Sequence, residues 1–269
     1  MSPDVVAILE TAVLDRLRQA PARPLVLGLC GAQGSGKSTA SAVLAERLTA
    51  RSLTAVTLSL DDLYLTREER MQLADSVHPL LATRGVPGTH DVALGHAVLD
   101  ALSDGGPTAL PRFDKARDTR VERSSWERVE GRVDVVIFEG WCIGAMPETV
   151  TELATPVNAL ERGADADGRW RRWVNARLAS DYQRLFRRID LLALLAAPSF
   201  AVVAGWRTQQ EHDLRARTGD GMDDATVATF VQHYQRLTEH ILREMPGRAD
   251  LLVQLDTARA PLSSLARVA

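Results

Sequence analysis

Lysine is nearly absent from this chain. Of its 32 lysine and arginine residues only Lys37 and Lys115 are lysine, which leaves 30 arginines. A composition this biased uses the planar guanidinium wherever a generic positive charge suffices, so a lysine marks a place that wants a compact, rotatable ammonium. Cysteine is scarce too. Cys30 and Cys142 are too few for a disulfide framework, and both flank short apolar segments where a thiol behaves as a small hydrophobe. The disulfide-stapled secreted domains are excluded, and a reduced, cytoplasmic setting is expected. Aromatic residues make up only 5% of the chain, little for a pocket built on stacking. The longest apolar run, Leu191 to Pro198, is far too short to span a bilayer. Met1-Ser2-Pro3-Asp4 shows no basic segment followed by an apolar core, so no secretory signal is expected. A formal net charge of -3 argues against a general nucleic-acid or membrane-surface binder. What is present is ordinary: 269 residues, 45% hydrophobic and 25% charged, suit one large α/β domain or two small ones. No repeat, low-complexity tract or clear linker interrupts them, and a single domain over 1–269 is expected.

The most informative stretch is Gly31-Ala32-Gln33-Gly34-Ser35-Gly36-Lys37-Ser38-Thr39, which fits G-x-x-x-x-G-K-[ST], the phosphate-cradling P-loop. Pro24 to Cys30 ahead of it reads as a buried strand, and Ala40 to Leu48 behind it as a helix with Val43, Leu44 and Leu48 on its apolar side. Glycines let successive backbone N–H groups point at one anion, and the helix N-terminus adds partial positive charge. Lys37 would reach the β and γ phosphates, and the Ser38 hydroxyl would bind Mg²⁺.

Along the rest of the chain, Pro3 to Gln19 reads as an amphipathic helix capped by Ser2 and ended by Pro21. Strands are expected at Thr54 to Leu60, Ala109 to Phe113, Val133 to Phe138, Leu191 to Ala196 and Leu251 to Leu255. Helices are expected at Thr66 to Ala74, Asp91 to Leu102 with Thr89 as cap, Trp170 to Arg188, Ser199 to Arg217, and Asp224 to about Glu244. Ser76 to Thr89 and Pro156 to Gly168 read as irregular. Short apolar strands alternating with helices call for a mostly parallel sheet covered on both faces, an α/β three-layer P-loop NTPase fold. Ligands of such sheets sit at the carboxyl ends of the strands. That rule should gather the P-loop, the adjacent Asp61 and Asp62, and Glu139 at one crevice. Glu139 holds the place of a Walker B acid. Asp61 and Asp62, on an extended backbone, would point to opposite sides, so only one would face the γ-phosphate. That acid could take the proton of an acceptor hydroxyl, as a general base does in phosphoryl transfer to small alcohols.

Ser59-Leu60-Asp61-Asp62-Leu63-Tyr64 resembles the Ser-x-Asp-x-Phe-Tyr signature of the uridine kinase, pantothenate kinase and phosphoribulokinase group of P-loop kinases, with leucine at Leu63 in place of the usual aromatic. The resemblance narrows with His78-Pro79-Leu80-Leu81, Arg84-Gly85-Val86-Pro87-Gly88-Thr89-His90-Asp91, Leu110-Pro111-Arg112-Phe113-Asp114-Lys115 and Phe138-Glu139-Gly140-Trp141. With Gly205-Trp206-Arg207-Thr208-Gln209-Gln210-Glu211-His212 and Gly221-Met222, these are similar to the plant-type D-glycerate 3-kinase family, over about Val26 to Tyr234.

The resemblance implies an ATP- and Mg²⁺-dependent kinase that phosphorylates D-glycerate to 3-phosphoglycerate. Asp61 would then be the base, with Lys37 and Glu139 beside it, and Ser38, Asp61 and Glu139 would lie around the metal. The acceptor loops, around residues 76–123, would use Asp62, Tyr64, Arg84, His90, Asp91, Arg112, Asp114, Lys115 and Arg120. An anionic acceptor also follows from the residues themselves: Arg112, Lys115, Arg117, Arg120 and Arg123 bring more positive charge than an exposed turn needs. A small hydroxy acid offers little surface to bury, so charge-assisted hydrogen bonds must supply most of its affinity. Arg207, Arg215 and Arg217 fall in a lid-like helical region around residues 205–222, from which an arginine could offset charge on the transferring phosphoryl group. Trp206 would pack either on the nucleotide or in the core. Two rivals fare worse: a kinase of the same architecture with a nucleoside or pantothenate acceptor, and a GTPase-like switch or ATP-driven regulator with no small acceptor. A nucleoside acceptor needs stacking surface, and Tyr64 and Phe113 are the only aromatics on the proposed acceptor loops. A guanine-specific switch normally carries Asn-Lys-x-Asp, and neither lysine here follows an asparagine.

Overall fold

The computed structural model describes residues 4–19, 24–219 and 221–267, the side chains of residues 217 and 218 apart. Ser2 and Pro21, and the side chain of Arg217, lie outside that description. In chain order, α1 (Val5–Gln19), β1 (Leu25–Gly31) and α2 (Lys37–Thr49) form the P-loop unit. Next come β2 (Ala55–Ser59), α3 (Arg67–Ser76) and α4 (Val92–Asp104). Four short strands follow: β3 (Thr108–Leu110), β4 (Phe113–Asp114), β5 (Thr119–Arg120) and β6 (Glu127–Val129). Then β7 (Val135–Gly140), α5 (Ala159–Ala164), α6 (Arg169–Arg177), α7 (Gln183–Phe186) and β8 (Leu191–Ala196) lead to α8 (Phe200–Thr218), α9 (Asp224–Glu244), β9 (Leu251–Leu255) and β10 (Pro261–Ala266).

The main sheet has the order β10-β9-β8-β1-β7-β2. β1 pairs in parallel with both β7 and β8, and only β10 runs antiparallel, against β9. Every residue of β1, β7 and β8 is buried, as strands covered on both faces require. Period-two alternation sends Val26 and Cys30 of β1 to one face, and Leu25, Leu27 and Leu29 to the other. The first face packs on α4, α7 and α9 through Leu99, Leu185 and Ile241. The second packs on α1, α2 and α8 through Leu9, Leu44 and Val203.

The α/β reading holds, with local corrections. The segment after β2 is not extended: Leu60–Leu63 forms a 3₁₀ turn capped by Ser59, whose hydroxyl accepts from the Asp61 amide. The expected cap of α4, Thr89, is bonded instead within the glycine turn, to Gly85 and Val86, and Asp91 caps the helix. Glu139 lies on β7 itself and not after it. Part of the stretch expected to be irregular is α5, capped by Asn158. The single helix expected from Trp170 to Arg188 is broken by a π turn over Leu178–Tyr182. β10 escaped notice because it is an edge strand with mostly exposed side chains and no apolar pattern to read.

Candidate active site at the carboxyl edge of the sheet

Strand register decides what meets what. Glu139 stands opposite Leu29 of β1 on one side and Ser59 of β2 on the other. The loop leaving β1, and Asp61 two residues beyond the end of β2, therefore flank it on strands about 4.8 Å apart. The P-loop turns at Gly34 and Gly36, with φ of 76° and 84°, a region that L-residues with side chains avoid. Gly34 is needed twice over, since a Cβ there would lie 2.6 Å from Cβ of Trp206. Trp206 is buried and donates its indole N–H to the Thr257 carbonyl, so it backs the loop from the core side. Arg259, itself at φ 69°, lies over that indole and bonds the Gly34 carbonyl at 2.5 Å.

The Ser38 hydroxyl lies 3.1 Å from Oε1 of Glu139. Glu139 is 4% exposed, and its other oxygen, Oε2, has no hydrogen-bond partner among the described residues. Ser35 Oγ and Gln33 Oε1 on the same loop are likewise buried and unpartnered. Unsatisfied buried polar atoms are costly, at about 1–3 kcal/mol each, and their concentration here marks a site made for polar ligands. A hydroxyl beside a carboxylate is an all-oxygen donor set of the kind hard cations prefer, so Ser38 and Glu139 fit Mg²⁺.

Asp61 and Asp62 diverge as expected, though a 3₁₀ turn and not a strand separates them. Asp62 accepts from Arg112 Nη1 and from the Phe113 amide, both at 3.0 Å, and so pins the root of the β4–β5 hairpin to the end of β2. Burial raises its pKa despite those donors. The hairpin brings Lys115 over Asp61, with Nζ 2.6 Å from Oδ2, and the Tyr64 hydroxyl donates to Oδ1 at 2.7 Å. Burial opposes ionisation of Asp61, but Lys115, Lys37 and the Tyr64 hydroxyl outweigh it and hold the carboxyl well below its usual range. Each oxygen of Asp61 thus has one protein partner, and a lone pair on each is left over. The two lysines of the chain act on one carboxylate.

The remaining expected contacts divide. Arg84 packs 5.7 Å over the Phe113 ring and pairs with Asp118, so it lies at the hairpin. Asp118, at φ 54°, also pairs with buried Arg70, which donates to the Leu65 and Ala82 carbonyls. Asp114 is a turn former, accepting from the Ala116 and Arg117 amides. Arg120 bonds Asp91 and the Tyr64 carbonyl and braces the loop from behind. His90 is buried under Tyr64, with ring centroids 4.7 Å apart, and its Nδ1 meets the Tyr182 hydroxyl at 2.6 Å. Burial lowers His90 to about 3, which keeps the imidazole neutral. Arg215 pairs with Asp224, whereas Arg207 pairs with Glu211 and lies 5.5 Å over Phe230, next to Tyr234.

Arg70, Asp118, Tyr182, Tyr234 and Arg259 organise these loops unannounced by the sequence. Arg70 looks like one more charge on a polar helix. Gly85 and Gly88 carried the only hint of a close approach: a Cβ on either would strike Tyr234 or Trp173 within 2.5 Å.

No protein-family model matches the chain. An uncharacterised kinase of Schizosaccharomyces pombe is 39% identical over 230 residues, 82% of this chain and 82% of its own. The chloroplastic D-glycerate 3-kinase of Arabidopsis thaliana is 30% identical over 257 residues, 89% of this chain but 54% of that longer protein. The solved structure of D-glycerate 3-kinase from Cryptococcus neoformans matches with a TM-score of 0.82 at 28% identity, over 98% of this chain and 100% of the other. Sheet order, P-loop and strand-end acids define the class: a P-loop kinase, a phosphotransferase that uses ATP and an alcohol acceptor. Within it the chain belongs to the family of the Schizosaccharomyces pombe kinase and of a probable ATP-dependent kinase of Saccharomyces cerevisiae, 30% identical over 89% of that protein, and it is similar to the D-glycerate 3-kinases.

Proposed function

We propose that this protein phosphorylates D-glycerate with ATP, giving 3-phosphoglycerate. The observation that carries the reading is the meeting of a strand-end carboxylate, Asp61, with an ammonium 2.6 Å away on the acceptor-side hairpin and with Lys37 of the P-loop. ATP phosphates lie on Gly34 to Thr39, with Lys37 reaching the β and γ phosphates. Ser38 and Glu139 would hold Mg²⁺, which would supply positive charge against the phosphate oxygens. Lys115 takes the carboxylate of the acceptor, with Arg112 and Arg84 as neighbouring charge and Tyr64 orienting Asp61. Asp61 accepts the hydroxyl proton as the acceptor oxygen attacks the γ-phosphorus, and the electron pair of the broken bond leaves with ADP. Of the lid arginines, Arg207, over Phe230 and beside Tyr234, is the one assigned to spread the developing charge. A nucleoside acceptor is disfavoured because Tyr64 and Phe113 are both buried, one stacked on His90 and the other edge-on to Tyr64, so neither offers a free face.

The test is a product NMR spectrum after incubation with Mg-ATP and racemic glycerate. One enantiomer should be consumed, with phosphate on the terminal carbon. An unchanged glycerate spectrum, alongside ADP release with another acceptor from a panel of small alcohols, would reject the assignment.

A further inference from the structure

Lys115 contacts the residue that must work as a base, and that contact opposes the work. An ammonium 2.6 Å from one Asp61 oxygen, with a phenol hydroxyl 2.7 Å from the other, stabilises the carboxylate and weakens its pull on a further proton. Such a base is quiet. The surroundings of Lys115 show what can change. Its hairpin is fixed: Asp62 pins the root, Asp114 closes the turn, and Asp118 ties the far side to Arg70 and Arg84. The lysine side chain is 59% exposed, on a flexible four-carbon stem, so the ammonium can swing while the backbone stays. The lysine end of the pair is the one more open to solvent, so a second carboxylate can reach the ammonium from that side.

Resting on the acceptor being a hydroxy acid, we infer that Lys115 masks Asp61 until the acceptor's own carboxylate draws the ammonium away, so that the base is released only when the correct hydroxyl is beside it. The ammonium keeps its proton throughout. The hydroxyl proton passes to Asp61, the acceptor oxygen bonds to the γ-phosphorus, and the bond to the β–γ bridging oxygen breaks with its electron pair on ADP. Water, which has no carboxylate, leaves the mask in place, so ATP is protected from hydrolysis in the open site. The device also explains the choice of lysine in a chain that otherwise uses arginine. A guanidinium would fork onto both oxygens of Asp61 and hold them.

The experiment measures ATP hydrolysis without acceptor, in the wild type, in Lys115→Ala and in Lys115→Ala combined with Asp61→Asn. Unmasking should raise acceptor-free hydrolysis in Lys115→Ala by about tenfold, less than the roughly hundredfold or more of a fully engaged general base, and Asp61→Asn should cancel the rise. Propionate, a carboxylate with no hydroxyl to phosphorylate, should stimulate hydrolysis by the wild type and leave Lys115→Ala unmoved. With acceptor, Lys115→Arg should lose kcat severalfold more than it gains in KM. No rise in Lys115→Ala, a rise that survives Asp61→Asn, or a Lys115→Arg enzyme with full kcat and only a higher KM would each overturn the masking. The hydrolysis arm needs no acceptor. Failure of the glycerate assignment therefore shows in the product spectrum alone, and failure of the mask in the ATPase rates.

Discussion

Asp62 offers a measurable link between fold and chemistry, because its carboxylate makes no contact expected of a catalytic group and yet positions one. It accepts two hydrogen bonds at 3.0 Å, one from Arg112 and one from the Phe113 amide. A bond to a charged donor contributes about 1.5–3 kcal/mol and a neutral amide bond about 0.5–1.5 kcal/mol, so Asp62→Ala removes about 2–4.5 kcal/mol of anchoring. Arg112 is partly exposed and also touches Glu127 at 3.1 Å, so water and Glu127 recover part of that loss. The lower end, about 2 kcal/mol, corresponds to about thirtyfold in an equilibrium between docked and undocked hairpin. Acceptor kcat/KM should fall by about that factor, while KM for ATP should change less than about twofold. Asp62→Asn keeps an oxygen for the Phe113 amide and should cost about fivefold, the loss of charge assistance alone. Steady-state kinetics with each substrate varied in turn decides the matter. A parallel rise in KM for ATP, or an Asp62→Ala enzyme with unaltered acceptor kinetics, would refute the reasoning that the hairpin hangs on this carboxylate.

Three further outcomes follow from the same geometry. Gly36→Ala should lower Tm by about 2–4 °C, since only the left-handed backbone resists it and a Cβ there meets no protein atom within 4 Å. Gly34→Ala adds the collision with Trp206 and should cost about 4–9 °C, so equal shifts by calorimetry would contradict the packing argument. Glu139→Gln should raise the Mg²⁺ concentration for half-maximal activity by about tenfold at fixed ATP, and an unmoved Mg²⁺ titration would remove Glu139 from the cation site. The pH dependence of stability has a definite sign. Burial lowers His90 to about 3, and lowers His233 and His240 too, so the unfolded chain binds their protons first. Stability from His90 is complete above pH ~6.5 and is lost as pH falls towards 3, at up to about 1.4 kcal/mol per unit. Denaturant unfolding at pH 7 and pH 5 should show the loss, and it should shrink in His90→Asn. A loss as large in that variant would assign it elsewhere.

The sequence was most legible where side-chain pattern and backbone obey the same local rule. Leu191 to Ala196 emerged as a strand with the bounds read from its apolar run, because burial on both faces leaves no polar position to blur it, and Leu251 to Leu255 did so even with Gln254 exposed. β10 left no such trace, since only one of its edges is satisfied and its side chains face solvent. Helix ends were harder. Thr89 and Asp91 are both good caps by type, and the choice fell to the glycine turn, whose Gly85 amide and Val86 carbonyl occupy the Thr89 hydroxyl.

What the sequence determined by itself is the chemistry on offer: a phosphate loop made necessary by Gly34 and Gly36, acids at strand ends, and two lysines among thirty arginines. Both lysines do bear on Asp61, a convergence that composition hinted at and could not locate. Pairing was decided only in three dimensions. Lys115 is 54 residues from Asp61 along the chain, and Arg259 is 225 from Gly34. Opposite charges abound in this protein, so nothing local says that Arg84 and Arg70 share Asp118, or that His90 is sealed under Tyr64 and stripped of its charge. A residue type states what a side chain is able to do. Its neighbours, brought in by sheet order and loop packing, set its charge, its partners and its freedom to move, and those are properties of the fold.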